Sequence, residues 1–539
     1  MTAGHFTGVP TQPPLEPHDG GQMADAAGTP RVSVLYRSTH RDRVAASIAP
    51  EALHDLHLDR IVAAAVAGRE EYDLTPLFQA PLGDTDAILY RQEVMRDLEA
   101  PALRHAVDDF AYRMRQVRQD LASEGKAYYP REKQRWRLAA AEAFAGAAEQ
   151  IARDLDQLAP ASDGLRAFRE ALGTYLASPR FRDLAAEARD LAARLAAVRF
   201  SLLIREGSVR VRPFDGETDY SAVVEETFRK FAEGMTSDLQ LETDQGLGLN
   251  QVEAEILNRV ALLNPDPFAA LARFSARWQG FVDPLIAGFD REIHFYAAWL
   301  DFVKRFRQAG LGICYPGLTT QRSDVGCVQT YDLALADRLL RDRTGAVIVN
   351  DFALRGAERV LVVTGPNQGG KTTFARAFGQ IHHLARLGCP VPGREARLFV
   401  CDRLYSHFER EERVGSLHGK LEDDLVRVRA ILDGATADTV VVMNEIFSST
   451  TVEDALFLGR EVLGRILDLD LLCVCVTFLD ELSALSAKTV SMVAGVDPNA
   501  PAARTFKLER RPANGLAYAQ ALAEKHRLTY RLLKERVRP

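Results

Sequence analysis

Apolar residues recur at helical spacing along much of the first three hundred positions. Phe144, Ala148, Ile151, Leu155 and Leu158 form one stripe, and Leu184, Ala188, Leu191, Leu195 and Val198 another, with charges between them. Intervals of three and four mark the face that an amphipathic helix buries. The pattern predicts a mainly helical region from about 40 to 330, built of packed helices or long antiparallel arms. One strand signal interrupts it: 200–204 and 208–212 flank Arg205-Glu206-Gly207, with Pro213 beyond, which reads as a short hairpin. A further helix is expected over 221–233, a loop over the Gly-rich patch 243–249, and helices again through 268–306. Gly310, Gly312, Pro316 and Gly317 then break the periodicity and set a boundary near 310–330.

Beyond that boundary the pattern changes to short, continuously apolar runs separated by helical segments. The runs are 360–364, 398–401, 439–443 and 471–477. A strand without polar alternation needs cover on both faces, so an α/β domain is expected here.

The first of these runs leads directly into Gly365-Pro366-Asn367-Gln368-Gly369-Gly370-Lys371-Thr372, the pattern G-x-x-x-x-G-K-[ST]. A helix should open there, with Phe374, Phe378, Ile381 and Leu384 on one face and an end near Gly388. Strand, glycine loop and helix together make a phosphate cradle. Glycines let backbone N–H groups curl around anionic oxygens, and the helix N-terminus adds partial positive charge. Lys371 supplies a point charge to the phosphates, and the Thr372 hydroxyl can ligate Mg²⁺. Gly365 to Thr373 are thus the expected ATP-binding residues. The 439–443 strand ends in Asn444-Glu445. Glu445 is placed to act as base or orienter for an attacking water, with Lys371 as its catalytic companion. Asn444 stands where a metal-holding carboxylate is usual. It keeps an oxygen but loses the charge, so Mg²⁺, held by Thr372 and Asn444, should bind more weakly.

Composition narrows the partners. The 539 residues exceed one ordinary core. The formal net charge of −7 argues against wholesale coating of nucleic acid, although 57 of the 67 basic residues are arginine. Candidate phosphate contacts on the arms are Arg113, Arg115, Arg118, Lys126, Arg131 and Lys133, against the alternative of a solvated helix face. His382-His383 reads as helix surface rather than a ligand pair. The six cysteines lack zinc-type spacing, which fits a reduced, cytoplasmic protein. Residues 1–30 are rich in Gly, Pro, Thr and Ala and read as a disordered tail with no apolar leader. The longest apolar run, 471–479, is too short to cross a membrane.

Gly-Pro-Asn-Gln-Gly-Gly-Lys-Thr-Thr at 365–373 closely resembles the phosphate loop of MutS-type mismatch-repair ATPases. Val349-Asn350-Asp351 is similar to that family's approach to the loop. Asn444-Glu445-Ile446, Ser449-Thr450-Thr451 through Asp454, and Asn514-Gly515-Leu516-Ala517 resemble its later elements. The resemblance is strong over about 345–520. Over 50–330 it rests on Leu58-Asp59-Arg60-Ile61, Tyr90-Arg91-Gln92-Glu93-Val94 and Phe289-Asp290-Arg291-Glu292. It implies a short form without the N-terminal mismatch-reading and connector domains. The chain would comprise a helical core, lever and clamp region over 31–325, a P-loop ATPase domain over 326–515 and a helical segment over 516–539. It also implies Asn350 as a nucleotide contact, ATP and Mg²⁺ as cofactors, a homodimer, and an ATP-gated DNA clamp in repair or recombination.

The departures are specific. Thr477-Phe478 replaces a Thr-His pair whose His senses the γ-phosphate in the family. The aromatic that stacks on adenine near Asn350 is replaced by Val347 or Ile348. The segment 415–424, expected to face a partner's nucleotide, matches in polarity only. Slow hydrolysis is therefore expected. The alternative is a nucleotide-gated module whose partner is a protein or ribosome. A nucleotidase of the ABC or chromosome-maintenance class is disfavoured by the Pro-Asn loop, and no nucleophile motif supports a hydrolase triad.

Overall fold

The computed structural model describes residues 32–37, 48–205, 208–217, 248–409, 419–497 and 500–513, with 528, 530, 533 and 534. The expected tail over 1–30, the helix over 221–233, most of the 243–249 loop and the Asn514-to-Ala517 element lie outside the described residues.

The first part is helical: α1 (Pro50–Asp55), α2 (Leu58–Val66), α3 (Thr75–Gln79), α4 (Thr85–Asp97), α5 (Pro101–Lys126), α6 (Pro130–Leu158), α7 (Asp163–Ala177) and α8 (Pro179–Ala196). The hairpin β1 (Phe200–Arg205) and β2 (Ser208–Pro213) follows. Then come α9 (Gln251–Leu263), α10 (Pro265–Arg277) and α11 (Pro284–Gln308). Proline opens α5, α6, α8, α10 and α11, where its missing N–H is not needed and its fixed φ suits the first turn. The stripe Phe144, Ala148, Ile151, Leu155 is buried, while Leu158 at the end of α6 is exposed. α11 is the central beam, with Tyr296 and Trp299 fully buried and Phe289 stacked on Phe168 of α7 at 3.7 Å.

The strands begin after α11: β3 (Ile313–Cys314), β4 (Gly317–Thr319) and β5 (Asp324–Thr330). Next are α12 (Leu333–Asp342), β6 (Asn350–Arg355), β7 (Val360–Thr364), α13 (Lys371–Arg386), β8 (Val391–Pro392), β9 (Glu395–Phe399) and β10 (Leu404–Phe408). The chain closes with α14 (Lys420–Gly434), β11 (Val440–Asn444), α15 (Val452–Asp468), β12 (Leu472–Val476), β13 (Thr489–Asp497) and β14 (Ala500–Arg510). The main sheet has the order β10-β11-β12-β7-β13-β14. All neighbours are parallel except β14, which pairs antiparallel with β13 at the edge.

Alternate residues of the central strands enter two different cores. Leu361, Val363, Val440, Val442, Leu472 and Val474 pack into the cluster that holds α13 and the helical region. Val360, Val362, Val441, Met443, Cys473 and Cys475 face α14 and α15 through Ile431, Val462 and Leu463. That two-sided cover explains why these strands carry no polar alternation. All six cysteines are free thiols. Among the described residues, no helix is long and apolar enough to cross a membrane.

α13 is fastened to the helical region by a stripe of polar side chains. Arg376 donates to the Asp55 carbonyl at 3.0 Å, and Gln380 to the Leu56 carbonyl at 2.9 Å. His383 donates to the Phe78 carbonyl at 2.8 Å and Arg386 to the Leu82 carbonyl at 3.1 Å. Gly379 lies so close to Leu56 that an added Cβ would meet its methyls at 2.7 Å. The expected surface position of His382-His383 is thus corrected: both rings are fully buried on the sides of α13 that face other elements. Helical spacing alone could not distinguish a polar stripe that faces water from one that meets carbonyls of neighbouring helices.

Candidate nucleotide site

The site is assembled at the carboxyl ends of β7 and β11, where loops leave the parallel sheet. Lys371 begins α13 and its side chain turns back under the loop, donating to the Gly365 carbonyl at 2.8 Å and to Asn367 Oδ1 at 3.3 Å. The backbone reaches this shape by left-handed residues: Gly365 at φ +116°, Gln368 at +61° and Gly370 at +92°. At Gly365 a side chain is also excluded by space, since a Cβ would lie 3.0 Å from Ala494 of β13. The loop is therefore both tightly curled and backed by a strand, as a phosphate cradle requires.

The carboxylate and the metal ligands converge on the same place. Glu445 Oε1 stands 3.9 Å from Lys371 Nζ, and Glu445 is held at φ +55° with its N–H donating to the Val476 carbonyl. Thr372 Oγ1 donates to Asn444 Oδ1 at 2.8 Å, so the two oxygens expected to hold a cation are already adjacent. Among the described residues, no group of three or more His, Cys, Asp and Glu could hold a metal ion alone. A cation here would be completed by phosphate oxygens and water, which suits Mg²⁺. Burial lowers the Lys371 ammonium pKa, while Glu445 and Asp480 pull it back up. Asp480, in the short turn after β12, was not evident from sequence, because only the sheet order brings it near the loop.

Asn350 does not point at the loop. Its amide nitrogen donates to the Phe506 carbonyl at 3.1 Å and its Oδ1 accepts from the Leu508 N–H at 2.8 Å, so it clips β14 to β6. The same strand lines the cradle: Phe506, which Asn350 holds, lies against Gly370, and two residues earlier Arg504 Nε donates to the Asn367 carbonyl at 2.9 Å. Thr477 is buried and its Oγ1 accepts from the Leu479 N–H, whereas Phe478 is exposed. Part of the 415–424 segment lies outside the described residues; Lys420, at its described end, is paired with Glu409.

These features define a P-loop nucleotide-binding fold. Residues 361–507 match the family model of MutS domain V. The chain is 29% identical over 160 residues to the DNA mismatch repair protein MutS of Orientia tsutsugamushi (strain Boryong), covering 30% of this chain and 18% of that protein. It is 31% identical over 156 residues to the endonuclease MutS2 of Gemmatimonas aurantiaca, covering 29% and 19%. To the MutS of Caldicellulosiruptor bescii it is 34% identical over 125 residues, covering 23% and 14%. Each match thus spans less than a fifth of the relative's length. Over its C-terminal part the chain is thus similar to MutS-type proteins, and residues 361–507 match their domain V.

Proposed function

We propose that the protein binds Mg²⁺–ATP at the loop between β7 and α13, hydrolyses it slowly, and uses the cycle to operate a homodimeric DNA clamp in repair or recombination. The observation that carries this reading is the convergence of Lys371, Thr372, Asn444 and Glu445 around one loop. When bound, Mg²⁺ supplies positive charge that offsets the charge of the phosphates. Loop N–H groups and Lys371 hold the phosphates. Thr372 and Asn444 hold the cation, and Glu445 orients the attacking water and takes its proton. Because Asn444 is neutral, cation binding is weak and turnover slow.

The polar stripe on α13 supports the coupling. The helix that carries Lys371 at its start is bonded along its length to 55–82, so movement of the loop is felt in the helical region. The DNA-contacting surface is narrower than the sequence suggests. Arg113 is paired with Asp109, Arg115 with Glu71, Arg118 with Glu71 and Asp290, and Arg131 is bonded to Asn258. Lys126 and Lys133 remain exposed, as do Arg205 and Arg210 on one face of the β1–β2 hairpin. These four are our candidates for phosphate contacts.

The ion pairing of the arm arginines also favours a second reading, a nucleotide-gated cytoplasmic module acting on a protein or ribosomal partner. The discriminating experiment is ATP turnover of the purified protein alone and with duplex, mismatched and branched DNA at two salt concentrations. Salt-sensitive stimulation supports the clamp. Turnover indifferent to every DNA, with no DNA retained, would transfer the proposal to the second reading.

A further inference from the structure

The turn between α5 and α6 carries an aromatic ring that packing does not explain. Tyr128 is 84% exposed, more than any other large apolar side chain among the described residues. A single exposed ring is ordinary on a protein surface, so its neighbours decide what it can do. Tyr129, half-buried, stands edge-on to it at 5.1 Å, and Pro130 then fixes the first position of α6. The ring is therefore presented to solvent on a stiff turn.

The charges around it are one-sided. Lys126 ends α5 and Lys133 lies one turn into α6; both are exposed, and among the described residues neither is paired with a carboxylate. Arg131, between them, is bonded to the neutral Asn258 side chain, so its charge is not offset. The two acids of the turn are withdrawn from the surface. Glu124 is bonded to Arg137, and Glu132 is buried and accepts from the Leu249 N–H at 3.3 Å. The turn thus stays positive although the chain as a whole is acidic. Tyr112, on the same α5, provides the contrast. It is 68% exposed, but the adjoining Arg113 is paired with Asp109, and Arg115 with Glu71.

Lysines alone would meet the phosphates of any duplex. An exposed ring between them adds a face on which a base can stack, and only a base that has left its own stack is free to use it. We propose that the α5–α6 turn is a binding surface for DNA with unpaired bases, where Tyr128 stacks on a base while Lys126 and Lys133 meet the flanking phosphates. This rests on the DNA-binding reading above and names the substrate class within it.

The test is equilibrium binding of a labelled oligothymidylate, and of a fully paired duplex of the same length, to the full chain at two salt concentrations. The single strand should bind more tightly. Tyr128→Ala should weaken the single strand about tenfold, equivalent to about 1.4 kcal/mol, and leave the duplex unchanged. Tyr128→Trp should retain single-strand binding, and Tyr112→Ala should alter neither DNA. Lys126→Gln combined with Lys133→Gln should weaken both DNAs and flatten the salt dependence. Equal loss of both DNAs in Tyr128→Ala, no loss at all, or the same loss in Tyr112→Ala would overturn the proposal. A duplex bound as tightly as the single strand would also overturn it, while leaving the clamp reading in place. If the unaltered chain binds neither DNA, the DNA-binding reading itself falls and takes the proposal with it.

Discussion

The Thr372 hydroxyl and the Asn444 side-chain oxygen lie 2.8 Å apart, joining the start of α13 to the end of β11. Two neutral oxygens at that separation can share a cation but give it little charge. Asn444→Asp should therefore lower the Mg²⁺ concentration that half-saturates ATP binding by about tenfold, an added charge being the main lever on such sites. Mg²⁺ titrations of the two proteins at fixed ATP measure it. An unchanged Mg²⁺ requirement would remove Asn444 from the metal site.

Glu445 stands close to Lys371 yet is partly open to water, which suits a group that must meet a solvent nucleophile. Glu445→Ala should reduce turnover by about 10²–10³-fold, in the range that positioned proton acceptors contribute, with ATP affinity kept. Single-turnover hydrolysis and equilibrium binding separate the two effects. A variant that turns over like its parent would show that the base lies elsewhere.

Gln380 is fully buried and makes three hydrogen bonds, accepting from the Leu333 N–H and donating to the Leu56 carbonyl and Asp332 Oδ1. Gln380→Leu strands the Leu333 N–H and the Leu56 carbonyl, at a cost of about 1–3 kcal/mol for each buried group left unpaired, while Asp332 Oδ1 keeps the Ala334 and Leu335 N–H groups. A fall of several kcal/mol in urea unfolding is expected. A loss below about 1 kcal/mol would mean that the stripe does not fasten α13 to the helical region.

His382 and His383 make stability depend on pH. Each uses one ring nitrogen on a carbonyl, Phe378 for His382 and Phe78 for His383, and buries the other without a partner. Burial lowers each pKa to about 4 from 6.5. The unfolded rings take protons below pH 6.5 and the folded rings do not, so stability is full above 6.5 and is lost as pH falls towards 4. At pH 5.5 the loss should be on the order of 1.4 kcal/mol for each ring. Asp290, whose carboxyl burial pushes up to about 6, opposes this, whereas His57 and His294, lowered by burial to about 4 and about 3, add to it. His383→Gln, which keeps a donor for the Phe78 carbonyl, should flatten the slope between pH 7.5 and 5.5. An identical slope in parent and variant would contradict the assignment.

Much of the α/β part was legible because its signals are local. The 360–364 strand is uniformly apolar and bounded by the glycine loop, and it forms at those residues. The 398–401 run was read slightly late, since the strand is Glu395–Phe399 and its first residues are polar. β10 was missed. Ser406 and His407 interrupt its apolar pattern, yet both are buried: Ser406 donates to Asp55, and His407 lies 3.4 Å from Asp424. Such long-range polar partners have no signature in sequence. The place of Phe506 against the loop was invisible for the same reason, since its carbonyl is held by Asn350, 156 positions away. The arm arginines were legible as charges, but not their pairing with Glu71 and Asp290 from other elements.

Equilibrium binding of Mg²⁺–ATP to the parent and to Lys371→Ala tests the nucleotide site most directly. Lys371 is the buried cation beneath the loop, and its loss should weaken ATP about 10–100-fold, as expected for one charge-assisted contact, with folding preserved. Equal affinities in the two proteins would contradict a phosphate cradle at 365–372.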